Sequence, residues 1–339
     1  MSSSLLTFRR TFVEGRFVTF PSVLVVLVLR LLLFINNRME PEVSPGAGYL
    51  WKYAAPLFVD PVISLVVSTL AVLLIAWLIS RMNNRFALIR TRTNLPFLAP
   101  LLLMSLHPCF LVMTPALAAV IPVLLAFFPL LQSYQKQDAY LYSFRSGVLV
   151  AIASLIHIGA LAVVLLWWRG ERSMRGPQSR ARLSYFFGFL LVGFSFFSLA
   201  YLLDDLPGIL QPFRFFVAVS LPTLPDYSVV EWVGLLLVFL FFLANMILST
   251  RVFFRDKVLT LTLMRFIVYL IVFLLLLQIV YWNSTLFFFT LALVLISYLN
   301  AYYLTRTNAK SGVWLAYINL SLMLLFYLSH FSLFQQLIG

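Results

Sequence analysis

Two carboxylates and two arginines are the side chains whose types and positions could do chemistry on a charged substrate. Glu40 and Glu42 follow the first apolar segment, where a carboxylate could act as a general base. Arg30 lies inside that segment, where an arginine costs about 2.5–3.5 kcal/mol on insertion scales. It could hold a phosphate or carboxylate, snorkel to an interface or pair with an acid on another helix. Arg214, flanked by phenylalanines, could bind an anionic headgroup.

Two histidines, His107 and His157, each lie beside turn-forming residues within an apolar block. Neutral imidazoles there could act as acid/base groups or share a metal with Glu40 or Glu42. Hydrogen bonding within the turn explains them as well, because no HxxxH or HxxE spacing is present. The single Cys109 excludes an intrachain disulfide, and no nucleotide-binding or protease motif occurs. We therefore expect neither a metal nor a cofactor.

The elements that must position these residues are membrane helices. The 339-residue chain is 63% hydrophobic and 10% charged, and its mean hydropathy is +1.01. Soluble proteins carry about 25% charged residues. Apolar runs recur from residue 17 to residue 334, and each is long enough to cross the hydrocarbon layer. No hydrophilic span could form a soluble domain, so we predict a single integral membrane domain over residues 1–339.

The net charge of +13 is spread over many short loops and is not gathered on one domain. This distribution argues against nucleic-acid binding and is typical of the positive-inside rule. Basic residues before the first helix, and the arginine-rich loops at 81–93 and 169–182, predict cytoplasmic positions. The same rule places the C-terminus outside. The proline- and glycine-containing loop at 36–55 is predicted to be outside and irregular.

An even number of crossings must lie between the two arginine-rich loops, because both are predicted to be cytoplasmic. Two single crossings, at 95–131 and 146–168, satisfy this condition. Two hairpins that turn at His107 and at His157 satisfy it too. The shortest hairpin helix would reach only ~17 Å, so the bundle would have to shield it from lipid.

The prolines and glycines beside both histidines favour the hairpins, because they break helices. We therefore predict an all-α transmembrane bundle of about 11 helices, or about nine if each block crosses once. Residues 17–182 would form an N-terminal half with short hairpin helices, and residues 183–339 would form the C-terminal helices.

A phenylalanine-led pattern, F-x-x-G-x-x-x-x-I-A-S-L, occurs at residues 144–155. Its residues here are Phe144, Gly147, Ile152, Ala153, Ser154 and Leu155. An apolar block and a short charged segment precede the pattern, and a second apolar run that ends in an arginine follows it. Over residues 95–170 this layout resembles a family of polytopic inner-membrane proteins of unknown function found in Bacteroidota. The resemblance implies that the chain lies in a bacterial inner membrane, with its C-terminus in the periplasm.

More distantly, the layout is similar to the membrane half of the GT-C glycosyltransferases, which use polyprenyl-phosphate sugars. That resemblance implies short hairpin helices and a catalytic carboxylate in the first outside loop, where only Glu40 or Glu42 matches. The Asp-Glu pair usual in those enzymes is replaced here by Glu-Pro-Glu.

Three functions are compatible with these features. A non-enzymatic scaffold or partner subunit in envelope biogenesis is the first, because the chain has no catalytic motif. A glycosyltransferase-like enzyme is the alternative, with Glu40 or Glu42 as base and with Arg30 and Arg214 holding a lipid-linked anionic ligand at the periplasmic face. A transporter is the third, although no inverted repeat is evident. The expected partners are the lipid bilayer, such an anionic ligand and another membrane protein.

Overall fold

The computed structural model describes residues 15, 19–36, 46–91, 93–136, 138–217, 232, 236, 239–240, 243–244, 246–250, 252, 256–282, 285–306 and 310–331. Within these residues all regular secondary structure is helical, as predicted. Six of the described helices are long and apolar enough to span a membrane. The protein is therefore an all-α chain of the kind found in membranes.

The α-helices are numbered in chain order. They are α1 (Thr19–Asn36), α2 (Tyr49–Ala54), α3 (Pro61–Phe86), α4 (Leu95–Leu103), α5 (Pro115–Gln132), α6 (Tyr140–Ile156), α7 (Leu161–Arg175), α8 (Ser179–Leu202), α9 (Leu206–Leu210), α10 (Val258–Val280), α11 (Phe287–Arg306) and α12 (Lys310–Leu328). The six potential spans are α1, α3, α5, α8, α10 and α11. Short 3₁₀ turns occur at Ala55–Phe58, Pro108–Phe110, Ile158–Ala160 and Gln211–Phe216.

Local sequence determines where two of the long helices begin. The Asp60 side chain accepts a hydrogen bond from the backbone N–H of Val62 at 2.7 Å, which caps the start of α3. Thr114 caps α5 in the same way. Pro61 and Pro115 occupy the first helical positions, where a missing N–H leaves no bond unmade.

One prediction for the first outside loop was wrong. The sequence at 36–55 predicts irregular backbone, but α2 and the 3₁₀ turn that follows it occupy part of this segment. Aromatic contacts stabilise both elements: Tyr49 packs edge-on against Tyr53, with ring centroids 5.5 Å apart, and Trp51 stacks on Phe58 at 5.3 Å. Tyr49 and Tyr53 are four residues apart, the spacing that brings side chains together on one helical face, whereas the contact of Trp51 with Phe58 joins α2 to the 3₁₀ turn.

The chain reverses direction at His107, between α4 and α5. Next to this turn, the backbone N–H of Met113 donates to the hydroxyl of Ser64, in the first turn of α3, at 2.8 Å. Near the other end of α5, Phe128 contacts Phe86 in the last turn of α3, with ring centroids 6.2 Å apart. Helix α5 therefore runs alongside α3 in the same direction, back from the turn to the end where α4 began.

A second reversal occurs at His157, between α6 and α7. The guanidinium of Arg175, the last residue of α7, donates to the carbonyl of Ala139 just before α6, at 3.1 Å. The backbone N–H of Gln135 reaches the carbonyl of Met174 at 3.4 Å. The end of α7 thus lies beside the start of α6, as in a helical hairpin.

The core surrounds α5 and α11. In the most apolar stretch of each helix, 72% of the residues of α5 and 83% of those of α11 are buried, whereas only 17% are buried in α1 and in α8. Large aromatic side chains fill the space around α5, where Phe127 meets Trp167 from α7 and Phe266 from α10. Helices α1 and α8 lie at the periphery and expose apolar side chains along most of their length.

The bundle has two chemically different ends. The arginine end carries Arg90, Arg175 and Arg306, and the histidine end carries His107, His157 and His330. Helix α1 connects the two ends. At its start, the hydroxyl of Thr19 accepts a bond from the Asn94 amide at 2.7 Å, and at its end the amide of Asn36 donates to the His330 carbonyl at 3.1 Å.

Candidate functional site

Arg30 is buried in the middle of α1, with 1% of its surface exposed. Its Nε donates to the hydroxyl of Thr69 at 2.9 Å, and one Nη donates to the hydroxyl of Ser68 at 2.9 Å. The same Nη also donates to the Phe110 carbonyl at 2.7 Å, and the other Nη reaches the Met104 carbonyl at 3.3 Å. Four neutral oxygens therefore surround the guanidinium.

Two of these acceptors are hydroxyls of α3, and the other two are backbone carbonyls at the α4–α5 reversal. Ser68 and Thr69 are adjacent in α3, and the Thr69 hydroxyl donates its own proton to the Leu65 carbonyl at 2.7 Å. The two carbonyls belong to the end of α4 and to the His107 turn, where the broken helix leaves acceptors without helical partners. Arg30 therefore joins α1, α3 and this turn, and no acid in the described part of the chain forms an ion pair with it.

His107 opens the first 3₁₀ turn. Its Nδ1 accepts a hydrogen bond from the backbone N–H of Cys109 at 3.1 Å. The imidazole stacks on Phe326 and meets the ring of His330 edge-on, with centroids 6.0 Å and 5.0 Å away. This histidine therefore connects the α4–α5 reversal to the last turn of α12 and the residues just beyond it.

His157 opens the second 3₁₀ turn in the same manner, and none of its surface is exposed. Its Nδ1 accepts from the backbone N–H of Gly159 at 3.1 Å, which leaves the proton on Nε2. Nε2 lies 2.8 Å from the hydroxyl oxygen of Thr285 and donates to it. The imidazole also stacks on Phe287, with ring centroids 5.0 Å apart.

Residues 46–48 lie directly against His157. The backbone N–H of Gly48 donates to the Ile156 carbonyl at 2.8 Å, and the N–H of Ile158 donates to the Gly46 carbonyl at 3.0 Å. A Cβ at Gly46 would come within 2.5 Å of the His157 Nε2, so only glycine fits at this position. The segment before α2 is thereby fastened to the apex of the second hairpin.

The structure brings Arg214 close to His157 but does not bond them. Arg214 is exposed on the Gln211–Phe216 turn, and the next residue, Phe215, packs against the His157 ring at 5.9 Å. Glu40 and Glu42 lie outside the described residues. Among the described residues, no group of three His, Cys, Asp or Glu side chains is placed to hold a metal ion.

A buried polar cluster at the arginine end was not predicted. Glu171 and Arg175 form an ion pair with Oε1 and Nη2 2.8 Å apart, and both side chains are almost fully buried. Arg175 also donates to Ser143. Burial raises the pKa of Glu171, and the nearby Arg175 opposes that shift. The Tyr185 hydroxyl and both Glu171 oxygens make no well-oriented hydrogen bond. The sequence signal was an acid four residues before an arginine on one helix.

A second cluster surrounds Asp256, before α10. Its carboxylate lies 2.6 Å from a guanidinium nitrogen of Arg306, accepts a hydrogen bond from the Tyr302 hydroxyl, and has Arg90 at 3.9 Å. These contacts connect α11, the segment just before α10 and the loop after α3. Both clusters consist of structural ion pairs, and neither lies beside His107 or His157.

Compared with known protein families, with functionally described proteins and with solved structures, the chain matches none. The resemblance of residues 95–170 to other membrane proteins therefore remains a prediction. The structure does explain the start of the quoted pattern physically. Phe144 and Gly147 lie where α6 crosses α8 closely, and a Cβ at Gly147 would be 2.1 Å from the carbonyl oxygen of Tyr185.

Proposed function

We propose that this protein is a non-enzymatic, multi-pass protein of the bacterial inner membrane that acts as a scaffold or partner subunit in envelope biogenesis. One observation carries the proposal: Arg30 and His157, the two fully buried candidates, bond to other parts of the protein. Arg30 binds four neutral oxygens, and His157 bonds to Gly159 and Thr285. A side chain engaged in this way holds helices together.

The peripheral helices support the same role. Beyond its first turns, helix α8 exposes Leu191, Phe194 and Leu202, and α1 exposes a comparable apolar face. In a bilayer such faces contact lipid or the helices of another membrane protein, and close van der Waals packing drives helix association there. Two exposed helices on one bundle give a scaffold the area it needs for a partner.

The proposed threading has about 11 helices, with the arginine end in the cytoplasm and the histidine end in the periplasm. The two reversals support it, because each returns the chain to the end from which it came. Helices α4 and α6 are shorter than a full span and lie against α3, α5, α8 and α11, which provide the shielding that short helices require.

The glycosyltransferase-like alternative is tested with Glu40→Gln and Glu42→Gln. A scaffold predicts that both variants restore growth and envelope integrity to a deletion strain as well as the wild type does. Loss of complementation by a variant that accumulates normally would contradict the proposal, and turnover of a polyprenyl-phosphate sugar by the purified protein would do so directly.

The partner is tested by photo-crosslinking in cells. A photoreactive amino acid at Phe194, exposed on α8, should give one reproducible adduct with a membrane protein that also co-purifies in mild detergent. The same group at Tyr298, buried in α11, is the matched control and should give no adduct. A crosslinking pattern that contains only lipid at every exposed position of α1 and α8 would refute the partner role.

A further inference from the structure

An open groove of about 550 Å³ lies at the arginine end, between the start of α6 and the first turns of α8. Its lining includes Tyr140, Arg180, Leu183, Ser184, Phe187 and Leu190. The floor is fixed where the two helices meet, because the hydroxyl of Ser184 donates to the Tyr140 carbonyl at 2.7 Å. The groove is therefore part of the helix packing and not a gap between loops.

The lining of the groove changes from charged to apolar along α8. Arg180, Leu183, Ser184 and Phe187 are spaced i, i+3, i+4 and i+7, which places them on one helical face. Arg180 is at the end of this stripe nearest the loop, and the exposed Leu183, Phe187 and Leu190 continue it toward the middle of the helix. A cation is thus followed by about 10 Å of apolar surface, at 1.5 Å per residue.

The charge in the groove has no counter-ion within the described protein. Arg180 forms no ion pair with any described residue, and no acid is among the groove residues. The nearest acid in the sequence, Glu171, is paired with Arg175. An exposed cation at the edge of an apolar groove is complementary to a ligand with an anionic head and an apolar tail.

We propose that this groove binds an anionic phospholipid of the surrounding bilayer. The phosphate bonds to the guanidinium of Arg180, and one acyl chain lies along Leu183, Phe187 and Leu190. A free phosphate would leave the apolar stripe unused, and an uncharged helix of another protein would leave Arg180 without a partner. The inference concerns a lipid site on the bundle and holds whether or not the protein is a scaffold.

The test compares two arginines on the same helix. Protein purified in mild detergent is titrated with phosphatidylglycerol or phosphatidylcholine, and bound lipid is counted by native mass spectrometry. Arg180→Gln should weaken phosphatidylglycerol binding about five-fold, because one arginine near an anionic surface contributes about 1 kcal/mol. Arg182→Gln, the matched control, removes the same charge from a residue about 200° away around the helix and should change nothing.

A second variant tests the apolar part of the groove. Phe187→Ala removes one wall and leaves the charge, so phosphatidylglycerol should dissociate faster, while a short-chain analogue with the same headgroup should be affected less. Equal loss in the two arginine variants would overturn the proposal, because the attraction would then be non-specific. Inorganic phosphate binding as tightly as phosphatidylglycerol, or a second copy of the chain covering the groove in lipid-free protein, would overturn it as well.

Discussion

The close crossing of α6 and α8 gives the sharpest prediction of stability. Gly147 of α6 faces the backbone of α8, and Gly188 of α8 faces the carbonyl of Phe144 on α6. In Gly147→Ala the added Cβ would lie 2.1 Å from the Tyr185 carbonyl oxygen, whereas real Cβ atoms are at least 3.0 Å from such atoms. Because the obstacle is backbone, no side chain can rotate away, and the helices must separate by about 0.9 Å.

This separation breaks the packing along a whole helix pair. Overpacking in a well-packed interior costs about 1–3 kcal/mol, and we expect the upper part of that range because two backbones must move. The intrinsic helix preference works in the opposite direction, since alanine is favoured over glycine by about 0.5–1 kcal/mol. The net expectation is a destabilisation of about 1–2.5 kcal/mol.

The matched control is Gly193→Ala, in α8. A Cβ at Gly193 would meet no atom within 4 Å, so this variant should keep the helix preference and lose no packing. Equilibrium unfolding in mixed micelles, followed by tryptophan fluorescence, measures both changes. A Gly147→Ala protein as stable as the Gly193→Ala protein would refute the close crossing and with it the packing reason for the F-x-x-G pattern.

Two further substitutions test the polar contacts. Thr285→Val leaves the buried Nε2–H of His157 without an acceptor and also removes the acceptor of the Phe287 N–H at the start of α11, so it should lower the free energy of unfolding by about 1–3 kcal/mol. Thr290→Val loses only a hydroxyl bond to the carbonyl four residues earlier and should change the free energy of unfolding by less than half as much. Asp256→Asn removes the charge beside Arg306 and should lower the free energy of unfolding by about 1–3 kcal/mol, between the values for exposed and for buried ion pairs. Because the pair is largely buried, most of that loss should persist when unfolding is measured at high salt. Equal effects of the two threonine variants, or a loss at Asp256 that salt abolishes, would contradict these assignments.

Several features of the fold could be predicted because they depend on local chemistry. Long apolar runs require helices in lipid, so composition alone indicates an all-α chain. Proline fixes helix starts through its missing N–H: the start of α5 at Pro115 follows from the sequence, and so does the break at Pro108. The helix in the first outside loop was missed, because its stability comes from aromatic pairs such as Trp51 and Phe58, which composition does not reveal.

The environment of Arg30 could not be predicted, because its partners are distant in the sequence. Two acceptors are in α3, 38 and 39 residues away, and two are backbone carbonyls 74 and 80 residues away. Hydropathy assigns a cost to an arginine in a helix, but it carries no information on which carbonyls a turn will leave unpaired. Of the three interpretations weighed for Arg30, none included a cradle of neutral oxygens.

The two histidine turns show how a structural motif that occurs twice can resemble a pair of catalytic residues when only the sequence is known. Each histidine precedes a three-residue 3₁₀ turn and accepts at Nδ1 from the backbone N–H two residues later, at 3.1 Å in both cases. This bond does for His107 and His157 what an aspartate does at an ordinary helix cap, without placing a charge in an apolar bundle. Because Nδ1 is occupied, only Nε2 could exchange a proton with a substrate, and in His157 it is bonded to Thr285. Turn chemistry therefore accounts for both histidines at the apices of the two reversals, and acid/base chemistry at His157 would first require the Thr285 bond to break.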